Sequence, residues 1–144
     1  MEFKEFELNM LNECVELFID TFSRETCNEK FESVEEVRNL FLNHFNNNYF
    51  LSYVVTYNNK IIGVSLGYKK PWIGGIEYFI DEFFIAYEYQ GSGIGSKFLK
   101  YIDKDIKEKG INGMILFTES ESPLYKFYRK NGYEELKDLL VLAK

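Results

Sequence analysis

Between a strand-like apolar run that ends at Ala86 and an amphipathic run that begins near Gly93, the chain carries Gln90-Gly91-Ser92-Gly93-Ile94-Gly95. A strand that empties through closely spaced glycines into a helix start leaves main-chain N–H groups with no Cβ in front of them and a helix dipole behind them. That arrangement suits a pyrophosphate. Two familiar nucleotide loops do not fit. The dinucleotide fingerprint needs G-x-G-x-x-G early in a βαβ unit, whereas these glycines alternate and lie late in the chain. The P-loop needs G-x-x-x-x-G-K-[ST], and Gly95-Ser96-Lys97 has neither the spacing nor the Gly-Lys pair.

The surrounding periodicities give the order of elements. Phe3 to Leu8 alternates as a short strand, and Asn9 caps a helix to about Phe22 with Leu11, Val15, Phe18 and Ile19 on one face. Ser23 to Glu32 is polar and irregular. Ser33 and Glu36 form a capping box for a second helix with a stripe of Val37, Leu40, Phe41 and Phe45. Tyr49–Tyr57 and Lys60–Tyr68 read as a hairpin turning at Asn58-Asn59, and Lys69–Gly75 as a loop. Ile76–Ala86 is apolar on both alternating faces and is expected at the centre of the sheet. A helix follows from Gly93 to Lys109 with Gly110 as its stop, then a strand from Met114 to Thr118. Ser122-Pro123 opens a short helix to Lys130, and Tyr133–Leu142 returns as one or two strands. The order β-α-α-β-β-β-α-β-α-β predicts an α/β domain: a mixed sheet with helices on both faces. At 144 residues it is one domain.

The pattern Gln-x-x-Gly-x-Gly, with Ile85 five residues before Gln90, resembles the acetyl-CoA signature of the GNAT N-acetyltransferase superfamily, whose element order is also the one read here. A second stretch, Phe127-Tyr128-Arg129-Lys130-Asn131-Gly132-Tyr133, resembles the family's Phe-Tyr-x-x-x-Gly-Phe/Tyr segment. The likeness spans roughly Lys60 to Tyr133. It implies the acyl-CoA N-acyltransferase fold, a predominantly antiparallel central sheet with helices on both faces, and acetyl-CoA as cosubstrate. It further implies that the fourth and fifth strands diverge to admit the pantetheine arm. Phe83, Phe84 and Ile85 would then offer backbone groups to that arm, and Gln90, Gly91, Ser92, Gly93, Ile94, Gly95 and Ser96 would hold the pyrophosphate. Tyr128 corresponds to a tyrosine beside the thioester sulfur. The family often has Pro where Tyr87 stands, Arg where Gln90 stands and Asn where Glu121 stands. Ile80-Asp81-Glu82-Phe83-Phe84 also looks like aminoglycoside 6'-N-acetyltransferases.

Acetyl transfer to an amine needs an acid and a base. A phenol of pKa about 10 protonates a departing thiolate whose parent thiol is near 8.5, which makes Tyr128 the expected acid, with neighbouring Tyr125 as the alternative. A lysine-like amine of pKa about 10.4 arrives as an ammonium with no lone pair, so a group must take its proton. Asp81 and Glu82 stand in an otherwise apolar strand, where a carboxylate is costly unless it is paired or functional. Strand parity predicts that they face opposite ways, Asp81 with Phe79, Phe83 and Ile85, and Glu82 with Tyr78, Ile80 and Phe84. Asp81 is therefore the preferred base. A β-bulge before Ile85 would reverse this parity, and Glu82 is the reserve. The lone histidine, His44, reads as a surface or capping residue.

The formal net charge of −6 argues against a nucleic-acid backbone as partner and is compatible with a cationic small molecule. Substrate choice falls to Phe22–Phe31, with Glu25, Glu29 and Glu32 nearby, and to Lys69–Gly75, where Trp72 is placed to stack on a cation. Cys14 and Cys27 have no metal or disulfide spacing, and no metal is expected. No signal peptide or long apolar span is evident, which predicts a cytoplasmic protein without membrane contact, as a monomer or homodimer. The expected activity is acetyl transfer from acetyl-CoA to a primary amine of an aminoglycoside- or polyamine-like substrate by direct attack in a ternary complex. A protein N-terminus or lysine as acceptor, and a CoA-binding sensor without turnover, are the alternatives.

Overall fold

The computed structural model describes residues 1–24, 31 and 33–144. The elements in chain order are β1 (Glu2–Glu5), α1 (Leu11–Phe22), α2 (Val34–Phe45), β2 (Tyr53–Tyr57), β3 (Lys60–Trp72), β4 (Gly75–Ile85), α3 (Ile94–Glu108), β5 (Met114–Leu116) and α4 (Pro123–Lys130). Single 3-10 turns at Leu8–Met10 and Tyr87–Tyr89 precede α1 and follow β4. The five strands lie side by side in sequence order, the first four antiparallel and β5 parallel to β4. This is the expected mixed sheet.

Each face of the sheet is sealed by one helix pair. Tyr53, Val55, Ile62, Tyr78, Ile80 and Ile85 pack against Phe98, Leu99, Ile102 and Ile106 of α3 and Tyr128 of α4. Val54, Ile61, Val64, Leu66 and Phe84 pack against Leu11, Cys14, Val15 and Phe18 of α1 and Val37 and Phe41 of α2. Each fully buried side chain of this kind stabilises by about 1.5–3 kcal/mol relative to exposure. Asn9 does not cap α1: it lies within the 3-10 turn, and the N-cap is Met10 without a side-chain bond, whereas other local signals act where expected. Ser33 Oγ accepts from the Glu36 N–H at 3.2 Å, Ser122 Oγ from the Tyr125 N–H at 3.1 Å, and Asn58 and Asn59 adopt φ of 49° and 61° at the hairpin turn.

Three expectations are corrected. The first strand ends at Glu5, because the 3-10 turn at Leu8–Met10 already begins the approach to α1. The loop at Lys69–Gly75 is instead the tip of a long hairpin: β3 continues through Pro71 to Trp72, and the chain reverses at Ile73-Gly74, with Gly74 at φ 85°. Proline is tolerated there because the ladder is ending. Tyr133–Leu142 forms no strand. The Leu139 N–H bonds to the Leu136 carbonyl at 3.1 Å, a turn that interrupts the run and leaves Leu140, Val141 and Leu142 exposed.

Candidate active site

At the end of β4 the Ala86 N–H still bonds to the Ile62 carbonyl at 2.7 Å, and the chain then turns through Tyr87–Tyr89 into the glycine run. Gly91 and Gly93 take φ of 74° and 84°, and a Cβ built on either would meet nothing within 4 Å. Gly93 is the N-cap of α3 and supplies no side chain to it, so the first intrahelical bond is Lys97 N–H to Gly93 carbonyl at 3.2 Å. The N–H groups of Ile94, Gly95 and Ser96 precede that bond, as helix geometry requires. No acidic residue occupies the first turn. An open, cation-like helix mouth of this kind fits the diphosphate of CoA.

The loop's other side chains hold its shape. Gln90 Nε2 donates to the Ile85 carbonyl at 2.9 Å, and Ser92 Oγ donates to the Tyr89 carbonyl. Gln90 and Ser92 were expected beside the phosphates, and their side chains are directed to the loop's own backbone. At Gly95 a Cβ would lie 3.1 Å from the Phe127 ring, so glycine there lets α3 close on α4.

The ladder between β4 and β5 covers only Tyr78–Ile80 against Met114–Leu116. Beyond it, β4 continues through Phe83, Phe84 and Ile85 with no β5 partner among the described residues, so the two strands part as expected. Phe83 turns to the α3/α4 side, with its ring 5.4 Å from Phe98 and 6.4 Å from Tyr128, whereas Phe84 turns to the α1 side, 5.4 Å from Phe18. Tyr128 is 7% exposed. Burial pushes its phenol well above the ordinary tyrosine range, and the negative charge of Glu82 adds to the effect. Its proton is therefore held at neutral pH. Tyr125, the alternative acid, has its hydroxyl bonded to Glu135.

The parity expected for the two carboxylates is overturned by a β-bulge. Glu82 lies opposite Leu66 and Ile80 opposite Gly67, so Asp81 is an extra residue in β4. Ile80 and Phe83 consequently share the α3/α4 face although they are three apart. Glu82 pairs across to Leu66, a residue of the α1/α2 core, and Asp81 Oδ2 meets His44 Nε2 of α2 at 2.7 Å. Both carboxylates stand on the α1/α2 side, not on opposite faces. His44, expected at the surface, is only 16% exposed in its side chain and stacks on Tyr68 at 6.0 Å. Strict alternation along β4 hides this contact, because it leaves the bulged residue out of the count.

Trp72 holds the Lys70 ammonium 5.4 Å from its ring, so its cation partner is internal. Glu25, Glu29 and Glu32 lie outside the described residues. Cys14 is fully buried and its thiol is pushed up to about 12, which removes it as an acyl carrier. Among the described residues no group of three His, Cys, Asp or Glu is placed to hold a metal ion, and no helix is long and apolar enough to cross a membrane. A groove of about 1590 Å³, walled along one side by the segment from Tyr133 to Val141, runs from Ser96 and Lys97 in the first turn of α3, past Tyr128, to Phe79 and Phe117 where β4 and β5 part; Asp81 and Glu82 do not line it.

A sequence model of the acetyltransferase (GNAT) family matches residues 11–133. Among solved structures, the fold is similar to that of an aminoglycoside acetyltransferase from an uncultured soil metagenomic sample, solved with sisomicin: TM-score 0.73, 20% identity, 99% of this chain and 96% of that one. It is also similar to a Clostridium acetobutylicum protein solved with acetyl-CoA: TM-score 0.76, 18% identity, 99% and 95% coverage. A transcriptional regulator from Bacillus halodurans matches equally well, at TM-score 0.76, 18% identity and 99% coverage of both chains. The shared fold does not by itself fix a substrate.

Proposed function

From the premise that this chain belongs to the acetyltransferase (GNAT) family and is an acetyl-CoA-dependent N-acetyltransferase, we propose that its acceptor is the primary amine of a small cationic molecule, of the aminoglycoside or polyamine kind. The observation that carries this reading is the continuous groove joining the mouth of α3, Tyr128 and the gap between β4 and β5.

Acetyl-CoA supplies an acetyl group already activated as a thioester. The N–H groups around Gly91, Gly93, Ile94 and Ser96 hold the diphosphate, and the free edge of β4 at Phe83–Phe84 aligns the pantetheine arm. Glu82 takes the proton from the acceptor ammonium and so exposes the lone pair that attacks the thioester carbonyl. It is preferred over Asp81 as the base because its charge reaches Tyr128. As the C–S bond breaks, the Tyr128 hydroxyl donates its proton to the sulfur and regains one from the second proton that the nitrogen sheds as the amide forms, while Glu82 releases its proton to solvent. Transfer is direct.

The reading is tested by following CoA release over a panel of aminoglycosides, polyamines, amino acids and peptides, with acetyl-CoA binding measured separately by calorimetry. Release with a small cationic amine is expected. Tight acetyl-CoA binding with no release for any amine would overturn it and leave a CoA-binding protein without turnover.

A further inference from the structure

The bulge at Asp81 sets that carboxylate beside a further surface, on the same side of the sheet as Glu82. Past the end of α2, the sheet face on the α1/α2 side carries a row of rings: His44 to Tyr68 at 6.0 Å, Tyr68 to Phe79 at 5.3 Å and Phe79 to Phe117 at 5.2 Å. The row crosses β3, β4 and the end of β5. Phe79 is nearly covered by its two neighbours, so Tyr68 and Phe117 form the accessible part. Phe117 is 70% exposed and stands one residue beyond the last paired position of β5, at the lip of the opening between the strands. Asp81 is 38% exposed in its side chain, is oriented by His44, and adjoins Glu82. At the outer end of the same face Lys70 pairs in register with Glu77, so their charges offset each other.

We infer that this face is the acceptor's binding site and that it takes a primary amine carried on a ring with an apolar face, with Asp81 as the anchor for the acceptor's polar end. The inference rests on the acetyltransferase reading above and narrows its substrate class. The accessible rings of Tyr68 and Phe117 give apolar contact to a rigid sugar or aryl ring at little entropic cost, whereas a flexible methylene chain must be ordered to cover them. Charge points the same way. One oriented carboxylate beside the base serves one cationic centre, and the offset charges of Lys70 and Glu77 at the outer end provide no second anchor for the further ammonium groups of a linear polyamine. His44 is a positioning residue, which acts by fixing the Asp81 carboxylate. The groove that holds Tyr128 also reaches Phe79 and Phe117, so an amine lying on the rings is continuous with the place where the thioester is expected.

The test uses the full chain saturated with CoA and calorimetric titration with three probes: glucosamine, phenethylamine and spermidine. Either ring-bearing amine is expected to bind at least about tenfold more tightly than spermidine, and the two together tell a sugar ring from an aryl ring. Phe117→Ala, at an exposed position that carries little of the core, is expected to weaken the ring-bearing amine about fivefold. Asp81→Asn is expected to weaken it more than tenfold. Asp81→Asn does not change CoA affinity. His44→Gln raises the acceptor KM and leaves that of acetyl-CoA unchanged, a split that general destabilisation would not produce. Spermidine binding as tightly as the ring-bearing amines, or unchanged affinity in both Phe117→Ala and Asp81→Asn, overturns the inference. Turnover that persists in that case leaves the acetyltransferase reading standing, whereas failure of that reading is seen as absence of CoA release with every amine.

Discussion

Replacing Gly93 with alanine tests whether the mouth of α3 holds a diphosphate, and Gly110 provides a matched control within the same helix. Both glycines have left-handed φ, 84° and 77°, and a Cβ at either meets nothing within 4 Å. In the free protein the two substitutions therefore carry the same penalty. An L-residue in that region costs about 1–2 kcal/mol, offset by roughly 0.4–1 kcal/mol from the stiffer unfolded chain. The net is about 1 kcal/mol, or roughly 3 °C in Tm for a chain of this size. They differ in what lies before them. Gly93 opens α3 and Gly110 follows its other end, about 22 Å away along 15 helical residues. A methyl group at 93 projects into the space where phosphate oxygens would approach the amides, and loss of one charge-assisted bond weakens binding about tenfold or more. The assay is thermal unfolding with acetyl-CoA at about 100 times the wild-type Kd, where binding adds about 2.7 kcal/mol. Gly110→Ala should keep that full increment, and Gly93→Ala should keep about 1.4 kcal/mol or less. Equal ligand-induced shifts in both variants would refute the assignment of the helix mouth to the diphosphate.

Tyr128→Phe should lower kcat by about 10²-fold with little change in acetyl-CoA Kd, as read by CoA release and calorimetry, because it removes only the proton donor. Stability should fall in alkali. Burial raises the phenols of Tyr78 and Tyr128 above their unfolded value of about 10, so their contribution is intact below pH 10 and is lost as pH rises through the folded values. Burial raises Tyr53 and Tyr133 in the same way, so urea unfolding at pH 8 and pH 11 should show a loss of about 1.4 kcal/mol for each of the four. Deleting Asp81 should leave a folded protein, since Ile80 opposite Gly67 and Glu82 opposite Leu66 then become consecutive pairs with unchanged faces. Deleting Phe83 instead should unfold the chain by exchanging the faces of β4, and circular dichroism melting separates the two outcomes.

The fold was legible because its determinants are local. Helix caps at Ser33 and Ser122, the paired asparagines at the first hairpin and the glycine after α3 each dictate a backbone conformation from one or two residues, and the structure uses them all. Misreadings arose where a local rule met a long-range one. Pro71 and two glycines suggest a loop at Lys69–Gly75, yet cross-strand pairing from Tyr68–Phe79 out to Trp72–Gly75 extends the hairpin through them. At Tyr133–Leu142 the β-prone residues are present, but a strand requires a partner, and β5 is paired on its other side over only three residues. The turn at Leu136 forms instead.

Within the site, the helix mouth was readable and the carboxylates were not, for one physical reason. The start of α3 is built from backbone conformations that glycine spacing announces, whereas the direction of a strand side chain depends on every residue counted before it. One uncounted residue reverses the answer for all those beyond. The apolar residues of β4 contained a check on that count: Tyr78 and Ile80 belong to the same core as Phe83 and Ile85, and strict alternation cannot place all four on one face. Since α3 and α4 demand apolar side chains along the whole strand, the extra residue has to fall between Ile80 and Phe83, where the only polar residues of that stretch, Asp81 and Glu82, occur. The bulge therefore reconciles two stretches of one core and, as the same act, turns both carboxylates toward the side from which an acceptor would enter.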